Sequence, residues 1–346
     1  MKRIALILVL GAIVAASLLA YRPRAAAPAP GPLSLLVLGD TGQPIGGPLA
    51  ALRPQYQVAR AVVAEDESAE AHGLVLLGDN FYPDGIEDDE LKDRMRANVV
   101  APYCRFLTFT SRGRGSLEES CGVSEARRHP VPLYVVLGNH DYGERESPKL
   151  QKEVVPTYIK SWRMPDQVDV HELPGGVSLI PFQSMPLVRG ENEGQLVRAL
   201  RRSKGPFRIL AAHHPIADPG NGHEPKYSRR VRSAIAQAGV PVHLFLGGHE
   251  HNLQLIAGDG KDDAALHVIS GAGSDTRVVK PSSRERLFGA GSLGFARVDR
   301  VEAAGEPILR VTMFTVPATP GRGRQASAHF EVSLDGDVRE GVPASE

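Results

Sequence analysis

Residues 133–141 read Leu133-Tyr134-Val135-Val136-Leu137-Gly138-Asn139-His140-Asp141. An apolar run gives way, at one glycine, to side chains that bind metals and move protons. A short run of this kind, apolar throughout, predicts a strand covered on both faces. Glycine at its end lets the backbone turn tightly and approach a bound ion.

The arrangement recurs along the chain. Residues 35–38 run into Gly39-Asp40, and 74–77 into Gly78-Asp79. Residues 242–246 run into Gly247-Gly248-His249-Glu250-His251, and 207–212 reach His213-His214-Pro215 without the glycine. Helical patterns lie between, at 55–71, 90–100, 194–203 and 228–238. Strand–helix alternation predicts an α/β fold with a largely parallel sheet core. Ligands of such sheets bind beyond the carboxyl ends of the strands. Taken singly, an Asp after Gly is a turn residue or helix cap, and a lone His is an ordinary polar side chain. Five coincidences at one end of five strands point instead to a metal site built from Asp, Asn and His.

These donors exceed what one ion needs, so two ions are expected. At a separation of about 3.5–4 Å they can clamp the attacking and leaving oxygens of a phosphoryl displacement, with a bridging carboxylate holding the spacing. Gly78-Asp79-Asn80-Phe81-Tyr82 adds a Tyr three residues after an Asp. A phenolate is a hard anionic donor and favours Fe(III) over Zn(II). From spacing alone, a packed aromatic is the equal alternative.

Composition narrows the field. The chain has 346 residues, with 40 Lys plus Arg against 40 Asp plus Glu. This balance excludes a protein that coats polyanions, and no nucleic-acid surface is evident. With 42% hydrophobic and 23% charged residues it is an ordinary globular composition, not global disorder. Lys2 and Arg3 precede an uncharged run at 4–20, closed by Arg22 and Arg24. As a helix that run would span roughly 26 Å, near the thickness of a bilayer core. A signal peptide or signal anchor over residues 1–21 is expected, with a buried core helix as the plainer alternative. Residues 22–32 are a Pro/Ala-rich tether. Beyond position 30 the balance is 36 basic against 40 acidic residues. Export implies a periplasmic or extracellular, oxidising location, possible anchoring included. A disulfide between Cys104 and Cys121 would then contribute about 3 kcal/mol; two free thiols are the alternative.

Together the motifs Gly39-Asp40-Thr41-Gly42, Gly78-Asp79-Asn80-Phe81-Tyr82, Gly138-Asn139-His140-Asp141, Ala212-His213-His214-Pro215 and Gly248-His249-Glu250-His251-Asn252-Leu253-Gln254 resemble the metallophosphoesterase superfamily. Within it they resemble the purple acid phosphatases of the tartrate-resistant, low-molecular-weight type. Ser270-Gly271-Ala272-Gly273 also looks like this family. Most relatives carry a ligand His two residues after the first Asp. Gly42 stands there, and purple acid phosphatases use the Tyr instead. The resemblance implies a calcineurin-like four-layer αββα sandwich over residues 33–335, a tail at 336–346, and a dimetal site at the strand ends. It implies Fe(III) at Asp40, Tyr82 and His251, and a divalent ion (Fe, Zn or Mn) at Asn139, His213 and His249, with Asp79 bridging. His140 is assigned to phosphate contact and leaving-group protonation, with His223 as a candidate second histidine and an exposed loop His as its alternative. The implied activity is acid phosphatase: hydrolysis of small phosphate monoesters by in-line attack of a metal-bound hydroxide. A phosphodiesterase or nucleotide phosphohydrolase is the alternative, and a non-catalytic metal-binding protein a more distant one.

Some features depart from the family or mislead. The Cys104–Cys121 region looks like an insertion that covers or shapes the cleft. Pro181-Phe182-Gln183-Ser184 stands where relatives carry Asp-Thr. Asp141 and Glu250 are expected to support ligands, and His214 to pack or hydrogen bond. Gly289-Ala290-Gly291-Ser292-Leu293-Gly294 matches a dinucleotide fingerprint but precedes a strand-like run, so it reads as a turn.

Overall fold

The computed structural model describes residues 32–43, 52–217, 225–282, 284–317 and 323–341. The readings of residues 1–21, of nearly all the tether and of His223 lie outside these residues.

Fifteen strands occur among the described residues. In chain order the first eight are β1 (Leu33–Leu38), β2 (Gly73–Leu76), β3 (Leu133–Val135), β4 (Trp162–Arg163), β5 (His171–Leu173), β6 (Val177–Pro181), β7 (Phe207–Ala211) and β8 (Val242–Gly247). The rest are β9 (Leu253–Ala257), β10 (Ala264–Ser270), β11 (Arg286–Ala290), β12 (Gly294–Ala303), β13 (Glu306–Thr315), β14 (Gln325–Ser333) and β15 (Val338–Glu340). They form two sheets, ordered β15-β14-β13-β12-β1-β2-β3-β4 and β11-β9-β10-β8-β7-β6-β5. The parallel core expected from the apolar runs is present in both, as β1-β2-β3-β4 and β6-β7-β8-β10. The apolar runs alone implied one largely parallel core, and the family resemblance implied the two-sheet αββα sandwich that is found. Two sheets share the parallel core, and antiparallel strands β12–β15 extend the first. Because β15 pairs with β14, the segment expected as a tail from residue 336 contributes an edge strand.

Side chains alternate faces along a strand, and β1 shows what each face buries. Leu33, Leu35 and Val37 pack between the sheets against Ile209, Leu244, Leu246 and Val268. Leu36 and Leu38 pack outward with Val58 and Val62 of helix α1 (Pro54–Ser68). Pro54 suits the first turn of α1, where its missing N–H costs nothing. On the far side, Ile180, Leu210 and Phe245 pack against α2 (Glu193–Arg202) and α3 (Pro225–Ala238). α2 turns Leu196, Val197, Ala199 and Leu200 inward and exposes Arg198, Arg201 and Arg202. Three cores separate four layers, αββα. Truncating one of these fully buried leucines to Ala would cost about 2–5 kcal/mol.

Cys104 and Cys121 form a disulfide with Cα atoms 5.4 Å apart. Arg105 and His129 bind Asp66 near the C-terminus of α1, at 2.6 and 3.1 Å, and Arg127 binds Glu67 at 2.6 Å. That end of α1 leads into β2, while Arg96 reaches across to the Ser116 carbonyl at 2.7 Å, so the insertion is tied both to α1 and to the segment that follows Tyr82. The stretch 289–294 is the end of β11, a turn and the start of β12, as its context predicted.

Candidate metal centre

The first sheet delivers Asp40, Asp79 and Asn139 just past β1, β2 and β3. The second delivers His213, His249 and His251 past β7 and β8. The sheets are joined there by backbone: Gly39 N–H donates to the Ser270 carbonyl at 2.8 Å. A side chain adds to the seam, since the Nδ1 of His213 lies 2.8 Å from the Leu77 carbonyl oxygen. That contact makes Nδ1 the protonated nitrogen and leaves Nε2 as the donor to an ion. The close approach of loops explains Gly138, where a Cβ would fall 2.1 Å from Oδ1 of Asp79.

Two groups of donor atoms result. Asp40, Asp79 and His251 form one, and His213, His214 and His249 the other; within each, the donor atoms all lie within 4.8 Å of one another. Tyr82 completes the first. Its hydroxyl is 2.8 Å from Oδ2 of Asp79, 3.0 Å from Oδ1 of Asp40 and 3.0 Å from Nε2 of His251. Asn139 joins the second, with Oδ1 3.1 Å from Nε2 of His213, which is 2.9 Å from Nδ1 of His249. Asp79 stands between the groups. Its Oδ2 meets Tyr82 while its Oδ1 is 3.5 Å from Nε2 of His213. All seven residues proposed from the sequence as ligands therefore meet in one place.

The backbone here is strained. Asp40, Asp79, His249 and His251 have φ of 57°, 52°, 71° and 48°. A non-glycine residue in this region costs on the order of 1–3 kcal/mol and is found where function over-determines it. Six described non-glycine residues have positive φ, and four are these donors. Asp40 and Asp79 are buried, and among the described residues their ion-pair partners are the histidines His251 and His213, with no Lys or Arg. Burial, reinforced by Asp40 and Asp79, drives the Tyr82 phenol far above its ordinary range. Burial disfavours the His213 imidazolium, but Asp79 and Asp40 outweigh it and raise its pKa. The part that Asp40 and Asp79 play in both shifts expresses buried negative charge that a cation would balance. The donor set fits two metal ions.

Support around the centre is dense. Asp141 is buried and accepts from the backbone N–H groups of Gly138 at 2.8 Å, Asn80 at 3.1 Å and Phe81 at 3.2 Å, and from Gln151 at 2.9 Å. It ties the Asp79 and Asn139 loops together, the supporting role expected for it. Burial and then Asp79 push its carboxyl up to about 6. His140 directs Nδ1 to the Pro83 carbonyl, with its ring 4.7 Å from the Tyr82 ring. His214 does pack and hydrogen bond as expected, with Nδ1 2.7 Å from Ser184 Oγ. Its place among the second donor group was not foreseen. Asp275 was missed altogether; its Oδ2 lies 3.2 Å from Nδ1 of His251.

Residues 33–253 match the family described as Calcineurin-like phosphoesterase. The chain belongs to that family. This phosphoesterase is 22% identical to human tartrate-resistant acid phosphatase type 5 over 281 residues, 73% of this chain and 76% of the relative. It is 25% identical to purple acid phosphatase 7 of Arabidopsis thaliana over 273 residues, 70% of this chain and 71% of that one. Its fold resembles the purple acid phosphatase PPD1 of yellow lupin, with a TM-score of 0.58 at 13% identity, over 91% of this chain and 58% of that one. It also resembles GAP50, the anchor in the inner membrane complex of Plasmodium, with a TM-score of 0.61 at 16% identity, over 85% and 88% of the two chains. With its family and acid phosphatase relatives, the protein is a hydrolase of phosphoesters.

Proposed function

We propose that this phosphoesterase is a dimetal acid phosphatase acting on small phosphate monoesters, with Fe(III) in one position and a divalent Fe, Zn or Mn in the other. The observation that carries the reading is the Tyr82 hydroxyl, within 3.0 Å of donor atoms from Asp40, Asp79 and His251. Asp40, Tyr82 and His251 would hold the trivalent ion. Asn139, His213 and His249 would hold the divalent one, and Asp79 would touch both. Bound there, the ions would supply positive charge for the phosphoryl oxygens and an acidified water at low pH.

The chain's own groups do the rest. Asp40 and Asp79 share the Tyr82 hydroxyl and so fix its oxygen between them. The backbone N–H of His140 donates to Oδ1 of Asp79 at 3.0 Å, which holds that carboxylate in place. His140 keeps Nδ1–H on Pro83, so Nε2 is the nitrogen left for substrate. Protonated, it donates to the phosphoryl group; as the ester P–O bond breaks and water oxygen bonds to phosphorus, that proton passes to the leaving oxygen. His223 remains a candidate partner in that step. Export is part of the proposal, supported by the apolar run at 4–20 and the Cys104–Cys121 disulfide. Among the described residues no helix is long and apolar enough to cross a membrane.

The test is the visible spectrum of the purified protein, with paired mono- and diester assays. A phenolate-to-Fe(III) band that vanishes in Tyr82→Phe, with faster monoester turnover, is expected. A colourless protein active only with added Mn or Zn would overturn the iron assignment, and faster diester turnover would make it a phosphodiesterase.

A further inference from the structure

Two donors of the Tyr82 half are fastened by one loop. Residues 273–277 follow β10 and fold back over the ends of β1 and β8. Gly273 N–H donates to the Gly39 carbonyl at 3.1 Å, and Ser274 Oγ donates to the Asp40 carbonyl. Arg277 N–H donates to the His251 carbonyl at 2.7 Å. Between them, Oδ2 of Asp275 meets Nδ1 of His251 at 3.2 Å, and its Oδ1 accepts from Thr276 N–H at 2.8 Å. His251 is thus gripped at its backbone carbonyl and at its ring, in a left-handed conformation that needs such support.

His251 and His213, one imidazole from each half, differ in what stands behind them. His251 has a carboxylate behind it. His213 has a neutral carbonyl, that of Leu77. A carboxylate behind a ligating imidazole fixes its tautomer and makes it a stronger donor. It also adds a fourth anionic group to the half that already has Asp40, Asp79 and Tyr82.

We propose that Asp275 is a positioning residue that keeps His251 protonated at Nδ1, aims its Nε2 lone pair at Asp40 and Tyr82, and sorts the more highly charged ion into this half. Only the identity of that ion rests on the iron reading above. Asp275 lies in a loop and its side chain is 53% exposed, so replacing it opens no core.

The experiment uses the full chain with Asp275→Asn, which keeps an acceptor but not the charge, and Asp275→Ala, which keeps neither. Long-range proton–nitrogen NMR of the histidines, on metal-free and Zn-loaded protein, reads the tautomer. Metal analysis after competitive loading with Fe and Zn reads the sorting. Wild type should show His251 protonated at Nδ1 and hold one iron. Asp275→Ala should lose that tautomer preference and bind iron about 10–100-fold more weakly, with zinc retained on the other half. Asp275→Asn should keep the tautomer and lose part of the iron preference. If Asp275→Ala fails to fold, Asp275→Asn carries the sorting test by itself. Unchanged tautomer and unchanged iron affinity in the variants would overturn the proposal. A wild type that takes up no iron would sink the iron reading instead, while the tautomer measurement would still decide the role of Asp275.

Discussion

Replacing Gly42 by Ala should disable the centre without touching a ligand. A Cβ at Gly42 would lie 2.4 Å from the Asn80 carbonyl carbon, 2.4 Å from the Phe81 nitrogen and 2.6 Å from the Asn80 oxygen. Ordinary contact begins near 3.4 Å, so one backbone must withdraw by about 1 Å. Neither yields easily. Gly42 N–H donates to the Asp79 carbonyl at 3.0 Å, and Tyr82 N–H donates back to the Gly42 carbonyl at 2.8 Å. Asn80 and Phe81 are pinned to Asp141. Overpacking of this kind costs roughly 1–3 kcal/mol, or a melting temperature lower by about 2–10 °C. The displaced segment carries Asp79 and Tyr82, and a misplacement of about 1 Å costs roughly 10²-fold in rate. Monoester turnover, metal content and thermal melts would be measured together. A Gly42→Ala protein with wild-type melting, two metals and full turnover would refute the argument. The same clash bears on the His that most relatives carry at this position. Gly42→His with Tyr82→Phe should fail to give an iron-free enzyme, because the obstruction is backbone.

Other expectations are equally concrete. Asp79→Asn should abolish turnover and lower the metal content, and a fully active variant would remove Asp79 from between the two ions. Cys104→Ser with Cys121→Ser should lose about 3 kcal/mol of stability by chain entropy, yet the folded variant should keep wild-type kcat, since neither cysteine is among the donors; a fall in kcat would show that the disulfide holds the site in shape. Stripping the metals should lower the melting temperature by several degrees, because Asp40 and Asp79 are buried without Lys or Arg; a melt indifferent to chelation would contradict this. Asp263 gives a pH test away from the centre. Burial would raise its carboxyl, but His267, Arg284 and Arg232 prevail and hold it well below the carboxylate range. Its contribution is therefore full above about pH 4 and fades as pH falls through the folded value. Asp263→Asn should cost about 3 kcal/mol at pH 7, a deficit that shrinks in acid; a pH-independent deficit would show that charge is not the cause.

The sequence carried the centre further than the fold around it. Asp40, Asp79, Asn139, His213, His249 and His251 were legible because each follows a short apolar run, a local signal that survives without knowledge of topology. The division into two sheets was legible from the family resemblance, which implied the αββα sandwich, and not from the apolar runs themselves. A run such as 35–38 is buried on both faces whether its neighbours belong to one sheet or two, and only the inter-sheet core tells them apart. Asp275 was hidden because it follows no strand pattern and reaches His251 across 24 positions of sequence.

The pairing of β1 with β12 joins Leu33 to Arg300. As a nascent chain emerges, β1 must wait for almost the whole polypeptide before this neighbour exists, and such remote pairings form late. Synthesised from its N-terminus, the chain passes through a stage in which the carboxylates are already present and the imidazoles are still to come. Neither sheet alone offers a complete set of donors. Capture of either ion would then act as a seal on assembly, available only to chains that have been made whole.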